Sequence, residues 1–288
     1  MHPAQPVSFG IPNEWREFER RHAHLLQAVL PPLFDAATKV FARTIESEHP
    51  HERIALMLGR HVPEDFNEVF LLCANGYGIA ALKLLRSMYE RVVTMVYLLR
   101  NPSEIEAFTD WHLVEKRKML NRLKDEGDEA TNYLTAEEVA QIEADYERVS
   151  AKFPKKQRSW TRLDLRSMAR KVGLDTLYLS LYVWPSWQIH TTAIGMTARV
   201  EETEEAVSFK IGPQREDADR ALLGAHTCLL MALAEHTQHF GLAVSPTPLF
   251  AQHKDYWDRA APEGRRTLTP PVPSAERPGD VPPTCQRT

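Results

Sequence analysis

The chain has 288 residues, 43% hydrophobic and 26% charged, with a formal net charge of −4. That balance excludes a wholly disordered chain and supplies material for a sizeable core. The small negative charge gives no global pull toward nucleic acid or an anionic membrane.

Residues 1–12 carry three prolines and no periodicity, and read as a loose arm without the basic and apolar stretches of a secretory leader. From Asn13 to about Glu48 the pattern is helical, with Trp15, Phe18, Leu25, Leu26 and Val29 on one side and a break or kink expected at Pro31-Pro32. A second helix is predicted from Pro63 to Asn75, because proline suits a first turn and Glu64 and Asp65 suit its positive dipole end. Gly76-Tyr77-Gly78 then opens a long helix to about Arg100. Ser103 with Glu106, and Thr135 with Glu138, have the spacing of capping boxes for helices ending near Glu126 and Lys152. Shorter helical pieces are predicted over 162–172 and 175–198. Alternation at Val207, Phe209 and Ile211 predicts a β-hairpin over about 198–212, and a last helix runs from about Glu216 to Phe240 with Gly241 as its cap.

The fold class expected is therefore all-α, a single multi-helix bundle over 13–257 with one small hairpin. The 258–288 tail, which holds seven of the 20 prolines, is expected to be disordered. Cys73, Cys228 and Cys285 make no CxxC pair and no disulfide framework, so a reducing, cytoplasmic setting is expected. The most apolar stretch, Val69–Leu99, is interrupted by charges, so no membrane span is expected.

Several motifs have a plain structural reading. Gly76-x-Gly78-x-x-Ala81 lacks the strand before it and the βαβ unit around it that a dinucleotide fingerprint needs, and reads as a hinge between helices. No GxxxxGK[ST], GxSxG or HExxH motif occurs. Glu19-x-x-His22, Glu46-x-x-His49 and Glu48-x-x-His51 have the spacing of carboxylate-bridged metal sites, but such sites need a motif on each of two helices. His236-x-x-His239 has no third ligand nearby in sequence. Solvated histidines are the simpler reading, and neither metal nor cofactor is expected. The basic run from Lys152 to Lys171, with Arg162, Arg166 and Arg170 at four-residue spacing beside Trp160, could contact phosphates, yet a solvated face is the better reading.

The sharper signal is polar residues on apolar helix faces. In helix 78–100, Leu82, Tyr89, Val93 and Val96 define the apolar centre, with Arg86 about 40° and Glu90 about 80° from it. In the next helix Ile105, Phe108, Met119 and Leu123 share a face with His112 and Lys116 in its middle. Tyr182, Ser186 and His190 follow one stripe of a third segment. Because charges are rarely buried unpaired, these residues are expected to meet in an internal polar cleft between helices 78–100, 104–126 and 175–198. Such a cleft could bind an anion or move protons. A closed polar network that fixes helix register fits the same pattern.

Leu84-Leu85-Arg86-Ser87-Met88-Tyr89-Glu90, Tyr97-Leu98, Trp111-His112 and Ser186-x-x-x-His190 resemble a widespread bacterial family of helical proteins, a domain of unknown function, over about residues 64–240. The resemblance implies one helical domain in which Arg86, Glu90 and His190 matter. More distantly, the chain resembles HEPN helical bundles, nucleotide-binding and often ribonucleases. Their signature puts an arginine four to six residues before a histidine. Here the nearest arginine before His190 is Arg170, so a ribonuclease with His190 as acid/base would need Arg86 to supply the charge from another helix. The leading expectation is a domain binding an anionic small molecule, nucleotide or RNA end through Arg86, Glu90, His112, Lys116, Tyr182, Ser186 and His190. The alternatives are a metal-independent ribonuclease using His190 and Arg86, and a structural interaction module. A homodimer stays open, and a membrane is not among the expected partners.

Overall fold

The computed structural model describes residues 11, 13–44, 47, 49–127, 133–189, 200–202, 206–209 and 212–260. Its helices are α1 (Glu14–Arg21), α2 (Leu30–Phe41), α3 (Pro50–Ala74), α4 (Gly78–Arg100), α5 (Ile105–Glu126), α6 (Ala136–Ser150), α7 (Leu165–Lys171), α8 (Trp184–Ile189), α9 (Arg215–His239) and α10 (Thr247–Ala260). Strands β1 (Val200–Glu202) and β2 (Val207–Phe209) pair antiparallel in the register Val200↔Phe209. The all-α bundle with one hairpin is thus the observed architecture. The expected disordered tail lies, from residue 261 on, outside the described residues, and helix continues to Ala260.

The bundle is built around α4. Fourteen of its 23 residues are buried, so it is the central helix, wrapped by α3 and α9 on its main faces and by α7 and α8 on the rest. The α3–α4 turn reverses the chain. Gln214, just before α9, donates its backbone N–H to the Gly76 carbonyl at 3.0 Å, while Arg100 at the end of α4 pairs with Glu235 near the end of α9. Helix α9 therefore runs parallel to α4 and antiparallel to α3.

The two glycines of the hinge have separate reasons. Gly76 has φ +77°, a left-handed turn position that glycine takes without strain. At Gly78 a Cβ would stand 2.3 Å from the Gln214 carbonyl oxygen and 2.4 Å from the Ala218 nitrogen. The start of α9 thus rests directly on the α4 backbone.

Three expectations about elements are corrected. Helix α3 starts at Pro50 and carries Pro63 inside it. Ala55, Gly59, Val62, Phe66, Val69 and Cys73 form one unbroken buried stripe, and its burial outweighs the backbone hydrogen bond that Pro63 cannot make. Pro31-Pro32 sits in the first turn of α2, after a π-turn at Leu25–Val29. A second π-turn, Leu179–Val183, precedes Pro185 in the same way; the wider turn absorbs the missing N–H groups without stopping the helical path. Ser103 and Glu106 make no capping box. Helix α5 grows out of a 3₁₀ turn at Pro102–Glu104, and Glu106 instead meets Lys152 Nζ at 2.5 Å. The Thr135/Glu138 box forms as expected, with bonds of 2.8 and 3.2 Å.

Helices α5 and α6 make a side arm with its own small cluster of Trp111, Leu113, Val114 and Val149, and Trp160 joins that cluster to the main core. The residues between α7 and the π-turn fill the remaining side of α4, where the Tyr89 hydroxyl donates to the Leu174 carbonyl at 2.8 Å.

Two histidines expected to be solvated, His22 and His236, are core residues, 2% and 0% exposed, and His226 is as deeply buried at 1%. His22 bridges Asp219 (3.0 Å) and the Tyr256 hydroxyl (2.5 Å), and His226 accepts from Trp257 Nε1 at 3.2 Å, so helix α10 docks through polar as well as apolar contacts. Burial holds His226 well below the usual imidazole range and His236 down to about 4. Both are packed as neutral rings, which explains how they fit an apolar interior.

Two consequences can be measured. Gly78→Ala must push α9 off α4 and is expected to cost at least about 2 kcal/mol in urea unfolding, as overpacking against backbone does. Between about pH 6.5 and pH 4 the unfolded chain protonates the position of His236 while the folded one does not. Stability is therefore full above pH 6.5 and falls as pH drops toward 4, by up to about 3 kcal/mol for this one residue. Urea midpoints measured across that range should fall, and His236→Gln should flatten the slope.

Candidate functional site

The helical phase of α4 is as the sequence predicts: Leu82, Tyr89, Val93 and Val96 are buried, and Arg86 is half-buried beside them. From there it reaches the π-turn and α8. Arg86 Nε donates to Ser186 Oγ at 2.9 Å, and Nη2 donates to the Tyr182 hydroxyl at 2.8 Å. The guanidinium carbon lies 4.6 Å from the centre of the Tyr182 ring, a cation–π distance. Ser186 Oγ in turn donates to the Tyr182 carbonyl at 2.6 Å, which fixes its lone pairs toward Arg86. The four-residue spacing of Tyr182 and Ser186 is what puts both on the same side of this segment.

The aromatic support continues along the stripe. Tyr178 stacks on Tyr182 at 5.2 Å, and the Arg166 guanidinium of α7 lies 5.9 Å from the Tyr178 ring. Burial holds the Tyr178 phenol above its usual range, so it is a neutral platform. Two arginines thus flank a pair of stacked tyrosines. Sequence reasoning missed Tyr178 and Arg166 as members of this group, although Tyr178 continues the four-residue spacing of Tyr182 and Ser186.

Other expected members are elsewhere. Glu90 is exposed and makes no hydrogen bond or ion pair among the described residues. Being one turn further along α4, it points off the edge that Arg86 occupies. His112 and Lys116 are exposed as well. The buried side of α5 is Trp111, Leu113, Val114 and Leu120, and Met119 is 54% exposed. The apolar face assigned to this helix from sequence was therefore out of phase, because its true partner is α6 and not the main core. His190 lies outside the described residues. The polar group consequently lies between α4 and the α8 segment, without α5.

The basic run is a surface feature. Lys152 is neutralised by Glu106 and Asp110, whereas Lys155, Lys156, Arg158, Arg162 and Arg166 are exposed and form no ion pair among the described residues. Concavities of about 420 and 460 Å³ flank this stretch around Trp160 and Arg162, and neither is lined by Arg86. The four-residue spacing of Arg162, Arg166 and Arg170 does not place them on one helix, since α7 begins at Leu165.

The histidine patterns are sorted by tertiary structure as well. His239, at the end of α9, meets His51 and Glu52 at the start of α3, with one ligand-type atom of each within 4.8 Å of the others. His239 is 187 or more positions from the other two, so no local spacing signals the group.

Since Glu90 has no partner to lose, Glu90→Ala should change the urea unfolding free energy by no more than about 0.5 kcal/mol. A buried ion-pair partner would cost about 3–5 kcal/mol, so the measurement separates the two arrangements.

No curated protein and no solved structure matches the chain. No described helix is long and apolar enough to cross a membrane. The model of a family of unknown function, DUF5677, matches residues 53–207, more than half of the chain and including Arg86, Tyr178, Tyr182 and Ser186. The chain belongs to that family.

Proposed function

We propose that this domain binds a small anionic, phosphate-bearing ligand at Arg86, between α4 and the Tyr178–Ser186 stripe. The observation that carries the reading is the manner in which Arg86 is held. Its partners are two hydroxyls and a tyrosine ring, and no carboxylate among the described residues bonds to it. Four other arginines that bridge distant elements are neutralised: Arg21 by Asp219, Arg91 by Asp65, Arg100 by Glu235 and Arg215 by Glu14. Arg60, which is not, donates its N–H groups to the Phe41 and Arg43 carbonyls. Arg86 is thus oriented but not neutralised, with two of its five N–H groups engaged.

A guanidinium fixed in direction and still carrying its full charge suits a phosphate, which accepts bidentate hydrogen bonds. The stacked tyrosines next to it offer a flat apolar surface of the kind on which a base can lie. A nucleotide matches both features, and Arg166 at the other end of the tyrosine pair favours a ligand with more than one negative group.

The test is a thermal-shift and calorimetric titration of the full chain with ATP, inorganic phosphate and a short single-stranded RNA. At least one of these should raise the melting temperature of the wild type. Arg86→Met keeps much of the stem packing but removes the charge, and should weaken binding about 10–100-fold, as loss of a charged hydrogen bond does. Equal binding by wild type and variant would place the ligand elsewhere, and no response to any phosphate-bearing probe would leave Arg86 a purely structural bridge.

A further inference from the structure

We propose that His51, Glu52 and His239 form a binding site for a zinc-class divalent ion that clasps the first turn of α3 to the last turn of α9. Glu52 Oε1 and His239 Nε2 are 3.3 Å apart, and a ring nitrogen of His51 completes a group whose ligand atoms all lie within 4.8 Å. Zinc with bonds of about 2.1 Å holds tetrahedral ligands about 3.4 Å apart. The Glu52–His239 pair already has that spacing, and a rotation of the His51 ring closes the remainder. Two imidazole nitrogens with one carboxylate oxygen form a donor set that suits zinc or its neighbours, and not calcium or magnesium, which prefer oxygen alone.

The surroundings are those of a supported site. The hydroxyl of Ser47 donates to the second oxygen of Glu52, leaving Oε1 to face His239. Phe240 packs edge-on to the His239 ring at 4.7 Å and restricts its rotation. Such outer contacts orient ligands toward a metal. His49 is next to the group, its ring 5.7 Å from that of His51, so an imidazole or a water can take the fourth position. Arg43, the nearby cation, is turned onto the Phe240 ring at 4.3 Å, and the Glu52 carboxylate offsets its charge. His51, Glu52 and His239 all lie outside the 53–207 segment that matches the family. The site is therefore a property of the flanking segments, independent of the Arg86 group.

The experiment is titration of the metal-free full chain with Zn²⁺, followed by calorimetry and thermal shift, with Co²⁺ as a visible-absorption probe of geometry. One ion per chain, a raised melting temperature and an intense tetrahedral cobalt band are expected. His239→Ala and Glu52→Gln should each weaken zinc binding by no less than about 10–100-fold, the range that loss of an outer contact alone can cost. His61→Ala, which removes an exposed histidine paired with Glu64 on α3, should leave it unchanged. If His239→Ala fails to fold, the near-isosteric Glu52→Gln carries the comparison. Absence of saturable binding, or equal binding by wild type, Glu52→Gln and His61→Ala, would overturn the proposal.

Discussion

The arrangement of this protein depends on the point where Gly78 lets the backbone at Gln214–Ala218 touch the start of α4. No side chain fits there, so the start of α9 rests on the α4 backbone, and the register between the two helices follows. One consequence is local. Further along the same interface Gly224 lies against Leu85 and Leu181, where a Cβ would come within 3 Å of both. The π-turn before α8 is held in that notch, and from the notch Tyr182 and Ser186 are carried to Arg86. The other consequence is remote. With its start pinned, 25-residue α9 ends level with the beginning of 25-residue α3, which is where His239 meets His51 and Glu52.

How much of this was legible in the sequence depends on which partner each helix has. Helix α4 is buried nearly all round, and its most apolar stripe is the true centre, so Arg86 could be located on its edge from angles alone. The stripe of Tyr182 and Ser186 was legible for the same reason, since four-residue spacing survives a π-turn over so short a distance. Helix α5 misled because it belongs to a side arm. Its apolar residues are divided between the face toward α6 and an exposed face that includes Met119, and a wheel cannot tell which of two weak stripes is inside. His112 and Lys116 were placed in the interior on the wrong one. Glu90 is absent from the Arg86 group because a charge beside an apolar face does not need an opposite charge: hydroxyls and an aromatic ring serve instead.

The buried histidines show the same limit from the other direction. Nothing in the local pattern distinguishes His226 or His236 from the exposed His61. Burial is decided by what arrives from elsewhere in the chain, such as Trp257 for His226 and Phe41 with Gly59 for His236. Once inside, the ring remains neutral because charging it would cost more than the proton's binding returns at neutral pH.

Residues 53–207 hold most of α3, all of α4 and the segments that present Tyr182 and Ser186, yet they do not include α9. In this structure α9 covers the side of α4 that would otherwise expose Leu85 and its neighbours, and fourteen of its own 25 residues are buried in doing so. An apolar surface of that size left in water would be strongly unfavourable. The segment that carries the family pattern is thus completed here by a helix from outside it. The Arg86 group inherits its geometry from that helix, because the notch at Gly224 is what seats Leu181 and aligns the stripe. The Arg86 group lies within the matched segment, while the packing that orients it is supplied in part by residues 215–239.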